Sequence, residues 1–323
     1  MKKNHITFVA YDTLCSVTIF GEDTPLIRQL LEQSQELALQ VQSTLSMYDP
    51  DSELSTLCRT YRPDVPAPVS PMLMDFLHWN QVFFRQTAGA FDPTVGALVR
   101  LWDFLADDPQ VPSEEEIARH LSSVGFQHVH LEEASGTVCF DAPHISLDPG
   151  ASGKGYALKL VAEHLRKAGI SHAVLDFGGN MYVIGGKPQP DGPDVPWKIA
   201  LRDPDATDTY IGTVTMQDCG IATSSWYEHS FQKDHILYHH LLDPRTGYPK
   251  PLELKSVSVL SSDGAFTDFL STSLFILGEA EGIRLIERLQ SLYPETIEYV
   301  LVRRDRSVCC SHGVFTPRPG TDS

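Results

Sequence analysis

Strand-like and helix-like patterns follow one another along this chain without a fixed alternation, and hairpins sit among them. A doubly wound parallel sheet requires a helix after nearly every strand, so this order argues for an α+β fold with mixed, mostly antiparallel sheets and flanking helices. Ile6 to Phe20 reads as a first strand. Leu26, Leu30, Leu37 and Val41 recur at helical spacing from Thr24 to Leu45, and Pro25 is a start signal in the first turn. Leu73, Phe76, Leu77 and Phe84 put a second helix over Pro71 to Thr87, while Ser113 with Glu116 resembles a capping box before a short helix ending near Val124.

Beyond Val129 the spacing shortens. Val129-His-Leu and Val138-Cys-Phe flank a Ser-Gly turn and predict a hairpin. Ile145 to Asp148 is expected as a short strand, followed by a Gly-rich loop and a helix from Lys154 to Ala168. Strands are expected over Ala173 to Phe177, Met181 to Ile184, Trp197 to Leu201, Tyr210 to Met216, Ile236 to Leu242 and Ser256 to Leu260. Helices near Phe266 to Leu277 and Glu279 to Leu292 come next, then a closing hairpin of Tyr299 to Arg303 and Val308 to Val314. Pro188 to Pro196 reads as a surface loop. The organisation expected is one domain of two coupled lobes over residues 1–316, with a flexible tail at 317–323.

The chain has 323 residues, 42% hydrophobic and 21% charged, with a formal net charge of -17. That charge disfavours nucleic-acid phosphates and anionic membranes as partners, and an anionic substrate would need local positive charge or a metal within its site. The six cysteines form no CxxC pair and complete no zinc pattern, so buried free thiols are expected. No signal peptide or membrane span is apparent, which favours a cytoplasmic location without excluding an exported one.

Four segments can carry chemistry. Ser146-Leu-Asp-Pro-Gly-Ala-Ser-Gly-Lys-Gly-Tyr156 lies between a strand and a helix and is either a phosphate cradle or a tight turn, with Lys154 as a point charge and Asp148 free to hold a sugar or base edge or to cap the loop. It is no P-loop, since Gly155 follows Lys154. Asp176-Phe-Gly-Gly-Asn180 reads as a turn. On the strand before Asp243-Pro-Arg-Thr-Gly247, His240 would share a face with Tyr238 and Leu242 and has the intrinsic pKa of a base for a hydroxyl. Asp268 and Thr272 are four apart and share one helix face. They offer hard oxygen donors suited to magnesium, or serve the helix itself as dipole partner and back-bonding hydroxyl. These residues point to a nucleotide-handling transferase or hydrolase.

The ordered motifs resemble the ApbE family of FAD:protein FMN transferases across nearly the whole chain. They are Ser46-Met-Tyr-Asp-Pro-Asp-Ser-Glu-Leu-Ser55, Gly89-Ala-Phe-Asp-Pro-Thr-Val-Gly96 with Leu101-Trp102, Lys154-Gly-Tyr-Ala157, Gly178-Gly179, Ala222-Thr-Ser224, His240-Leu-Leu-Asp-Pro-Arg-Thr-Gly-Tyr-Pro249 and Asp268-Phe-Leu-Ser-Thr272. The resemblance implies FAD in a cleft between lobes, Mg2+ at its pyrophosphate, and FMN joined by a phosphoester to a Thr or Ser of an acceptor flavoprotein with an Asp-Gly-x-Thr-like motif, AMP leaving. It implies FAD contacts for Tyr11, Ala90, Phe91, Asp92, Asp148, Lys154 and Leu241 (or its neighbour Leu242), magnesium ligands in Asp268, Thr272 and the carbonyl of Ala151, and the role of base for His240. The chain departs from the family pattern at Tyr11-Asp12, Pro149, Ser152, Lys159, Asn180, Ser225 and Ala265. FAD pyrophosphatase activity and non-catalytic flavin binding are the competing readings.

Overall fold

Eight strands form one wholly antiparallel sheet whose spatial order follows the chain. They are Lys2–Ala10, Thr13–Gly21, Ala173–Phe177, Asn180–Ile184, Gly220–Ser225, Leu254–Ser261, Ile297–Arg303 and Val308–Cys310. In the computed structural model, which describes residues 2–319, the other elements are inserted between neighbours of this sheet, except Phe315–Pro317, which follows its last strand. Six helices precede the third strand: α1 (Pro25–Leu45), α2 (Glu53–Thr60), α3 (Pro71–Gln86), α4 (Gly96–Trp102), α5 (Glu114–Leu121) and α6 (Gly153–Lys167). Two more, α7 (Gly264–Leu277) and α8 (Glu279–Leu292), link the sixth and seventh strands. The α+β architecture expected from the irregular pattern is the one observed.

Period-two alternation gives each strand two faces, and both are covered. Val17, Ile19 and Leu175 pack with Leu30, Val41, Val161 and Leu165 of α1 and α6, and Val257, Val259 and Leu301 pack with Phe269, Leu274 and Leu289 of α7 and α8. On the opposite face Val183, Ile221, Leu260 and Val300 meet Leu201, Val214 and Met216 of a three-stranded sheet. That sheet joins Trp197–Asp203, Ala206–Met216 and Phe315–Pro317. Among the described residues no helix is long and apolar enough to cross a membrane.

Local signals explain the helix bounds. Thr24 and Ser70 cap α1 and α3, each followed by proline, and Ser113 with Glu116 makes both bonds of a capping box on α5. Other expectations need correction. Ile6 to Phe20 is not one strand: the chain reverses at Tyr11 and Asp12, both left-handed at φ 53° and 54°, the torsions of a primed hairpin turn. Ile145 to Asp148 makes only a single parallel bridge, Val95 to Ser146. The strand over Ile236 to Leu242 stops at His239 and pairs with Ser230–Lys233, and Leu242–Asp243 pairs instead with Tyr248–Pro249. After Cys310 the chain leaves the closing hairpin, and Phe315–Pro317 pairs with Gly212–Val214, so the expected tail begins inside a strand; residues 320–323 lie outside the described residues.

Candidate functional site

A cleft of about 1200 Å³ opens where the first hairpin, the α6 loop, α4, α7 and the segment after Ile236–His239 converge. Eight of the eleven expected site residues line it: Tyr11, Asp148, Ala151, Lys154, His240, Leu241, Asp268 and Thr272. Residues up to 261 positions apart in sequence thus meet on one surface.

Asp268 is held where α6 and α7 touch. Its Oδ2 accepts the Gly155 backbone N–H at 2.9 Å and its Oδ1 accepts from Asn180 Nδ2 at 2.8 Å. Gly155 is required there, because a Cβ would sit 2.7 Å from the Asp268 Cβ and 3.1 Å from the Gly264 carbonyl. Both donors are neutral and Asp268 is only 6% exposed, so no contacting cation balances this buried carboxylate among the described residues. One turn further along α7, Thr272 Oγ1 lies 3.0 Å from Ser224 Oγ, which also meets Ser271 Oγ at 2.8 Å. No group of three or more acidic, His or Cys residues suited to a metal occurs among the described residues. The donors present are one carboxylate and hydroxyls, and Ala151 lines the same cleft.

His240 stands at the break after Ile236–His239 rather than within a strand. His239 points to the core, ring to ring with Phe275 at 5.3 Å, while His240 faces the cleft. His240 Nδ1 lies 3.3 Å from the His229 carbonyl, which can only accept, so Nδ1 carries the proton and Nε2 keeps a free lone pair. Burial, reinforced by the neighbouring His229, pushes its pKa down to about 4. At neutral pH this is an uncharged imidazole able to accept a proton.

The α6 loop supplies Asp148 and Lys154. Asp148 Oδ1 accepts the Gly150 N–H at 2.7 Å, and burial pushes its carboxyl above the usual range. Lys154 makes no ion pair among the described residues and reaches the cleft from the first turn of α6. Tyr11 is fixed by its hydroxyl to the Ala38 carbonyl at 2.6 Å and by its N–H to Gln42 Oε1 at 2.5 Å.

Ala90, Phe91 and Asp92 are not among the residues that line the cleft; they lie buried behind it. Ala90 is sealed, and Phe91 packs edge-on against Phe83 and Phe269 of the α7 core. Asp92 accepts hydrogen bonds from Thr94 N, Thr94 Oγ1 and Phe126 N, and burial pushes its pKa up to about 6. These side chains brace a turn beneath the site. The structure adds cleft residues that sequence reasoning did not assign, Tyr48, Arg100 and Ser224 among them. Tyr48 and Ser224 lay inside segments already notable as motifs, and Tyr48 is 63% exposed.

The profile of the ApbE family matches residues 11–294. The chain belongs to the ApbE family. A FAD:protein FMN transferase of Treponema pallidum is 28% identical over 316 residues, covering 94% of this chain and 85% of that one. A Rhodobacter capsulatus protein of the same name is 32% identical over 286 residues, covering 88% of this chain and 53% of its own length. Among ApbE structures, one from Thermotoga maritima superposes with a TM-score of 0.83 at 26% identity, covering 96% of this chain and 97% of the other. The Vibrio cholerae flavin transferase ApbE gives 0.80 at 27% identity, with coverage of 96% and 97%.

Proposed function

We propose that this ApbE-family chain is a FAD:protein FMN transferase that moves FMN from FAD onto a Thr or Ser hydroxyl of an acceptor flavoprotein, the acceptor segment being of the Asp-Gly-x-Thr kind. The observation that carries this reading is the placing of one neutral imidazole, His240, in the same cleft as Lys154 and the Asp268–Thr272 pair. In the reaction the acceptor oxygen attacks the phosphorus of the FMN half. The bond from that phosphorus to the bridging oxygen breaks, and AMP departs with it. His240 Nε2 accepts the hydroxyl proton, and Lys154 faces the diphosphate with a charge that no carboxylate has already paired.

Asp268, Thr272 and the Ala151 carbonyl fit Mg2+ in donor type, since all are hard oxygens, and a single carboxylate suits a cation that takes its remaining ligands from phosphate and water. When bound, magnesium would neutralise charge building on the phosphate oxygens. Tyr11, Asp148 and Leu241 then have the sugar, base or flavin portions of FAD as partners, and the buried Ala90, Phe91 and Asp92 support them from below.

The test is Asp268→Asn, which keeps shape and removes charge. Protein, FAD and magnesium are incubated with and without an acceptor subunit, and covalent flavin is read by fluorescence in a denaturing gel. The variant should lose transfer by at least about a hundredfold, the usual cost of removing one electrostatic stabiliser. Undiminished labelling by the variant would refute the role of Asp268. Rapid AMP and free FMN without acceptor, and no labelled protein with it, would mark a pyrophosphatase instead.

A further inference from the structure

Lys154, Asp268, Thr272 and His240 account for phosphate and proton, and they leave another cleft-lining cation without a role. Arg100, on α4, donates from Nη1 to Ser146 Oγ at 2.9 Å and from Nη2 to the Met47 carbonyl at 2.8 Å. Both acceptors are neutral. The guanidinium is therefore fixed in direction while no contacting carboxylate among the described residues cancels its charge, and three of its five N–H donors remain for a ligand. Its base is rigid as well: a Cβ on Gly96 would meet the Ser146 carbonyl at 2.7 Å, and Trp102 Nε1 donates to the Gly247 carbonyl at 2.8 Å.

The neighbours define what can bind. Tyr48 lies in the same region, its pKa pushed up by burial and by Asp148, Asp12 and Asp103 while Arg100 opposes them. Arg100 likewise holds the Asp148 carboxyl down against burial and alongside the Gly150 N–H. A phosphate here would confront three carboxylates with one guanidinium, so charge directs the diphosphate toward Lys154 instead. A neutral heterocycle suits this wall better. Its ring nitrogens or carbonyls accept from the guanidinium, its N–H groups donate to a carboxylate, and the exposed Tyr48 ring offers a face to stack on.

We propose that Arg100 is a specificity-determining residue of the dinucleotide site, reading the hydrogen-bonding edge of one of the two rings of FAD. The inference rests on FAD being the substrate. Both adenine and the pyrimidine edge of isoalloxazine carry acceptors beside N–H donors, and the fragments distinguish them.

Wild-type protein, Arg100→Lys and Arg100→Gln are titrated with FAD, FMN and AMP in magnesium, flavins by fluorescence and AMP by calorimetry, with thermal melts as the fold control. Lysine keeps the charge but loses the planar fork. FAD binding should weaken about tenfold in both variants, the scale of a hydrogen bond to a charged group. One fragment should weaken by the same factor and the other should not, and the affected fragment names the ring. Equal weakening of FMN and AMP, each of which carries a phosphate, overturns the proposal, as does unaltered FAD affinity in both variants. A wild-type protein that binds no FAD would sink the transferase reading and this inference together, whereas wild-type binding with unaltered variants sinks this inference alone.

Discussion

Replacing Gly155 by alanine adds a single methyl group where α6 packs against Asp268 and Gly264 of α7. That methyl would lie 2.7 Å from the Asp268 Cβ, so α7 has to retreat by roughly 0.7 Å to regain an ordinary contact. The movement pulls Asp268 Oδ2 away from the Gly155 N–H that now holds it at 2.9 Å. Overpacking costs about 1–3 kcal/mol. The weakened charge-assisted hydrogen bond adds about 1.5 kcal/mol. Alanine's better helix propensity offsets about 1 kcal/mol. The net loss is about 1.5–3.5 kcal/mol, visible as a melting temperature lowered by several degrees. Activity should suffer far more, because misplacing a positioned group by about 1 Å costs on the order of a hundredfold in rate. The assay is covalent flavin on a co-expressed acceptor subunit, followed by time-resolved transfer with purified protein at several magnesium concentrations. A folded Gly155→Ala protein with wild-type transfer would refute the claim that this helix contact sets the position of Asp268.

Three further outcomes follow from His240 and from the buried Trp102. His240→Ala should bind FAD normally and lose transfer, and in the wild type kcat/KM should stay flat from neutral pH down to about 5 before falling, because the folded-state pKa of His240 is about 4; a half-maximal point near 6.5 would count against its being the base. The same depression means the unfolded chain binds that proton first, so stability should decline by up to about 3 kcal/mol as pH drops from about 6.5 to 4, which chemical denaturation at stepped pH would reveal. Trp102→Phe removes the Nε1 bond to Gly247 in a site only 1% exposed and should cost about 1–3 kcal/mol in denaturant unfolding, an unshifted midpoint being the contrary result.

Elements with strong local signals were legible in the sequence. Pro25 after Thr24, Pro71 after Ser70, and the Ser113–Glu116 box each mark a helix start that the structure shows. Breaks without special residues were not. The reversal at Tyr11-Asp12 lacks glycine and asparagine, and apolar alternation runs straight through it, so only pairing across the hairpin reveals the turn. The interruption at His240 was hidden for the same reason, since Tyr238 and Leu242 kept strand spacing on either side. The meeting of the polar residues of the α6 loop and α7, Asp148, Lys154, Asp268 and Thr272, on one cleft wall matches the grouping expected from their motifs. That Ala90, Phe91 and Asp92 are buried was not legible, because sequence carries no sign of which side of a cleft wall a motif residue occupies. Arg100 was passed over because a lone arginine on a short helix looks like solvated surface until Ser146 and Met47 are seen to grip it.

The sheet order has a consequence for how the protein comes into being. Its strands assemble in the sequence in which they are made, yet the cleft draws on Tyr11 from the first hairpin and Thr272 from the seventh helix. A nascent chain can therefore build most of its scaffold before Asp268 and Thr272 are made, and closing loops of that length is slow and comes late. Any premature stop before α7 discards catalysis whole, and flavin transfer becomes a stringent reporter of completed synthesis.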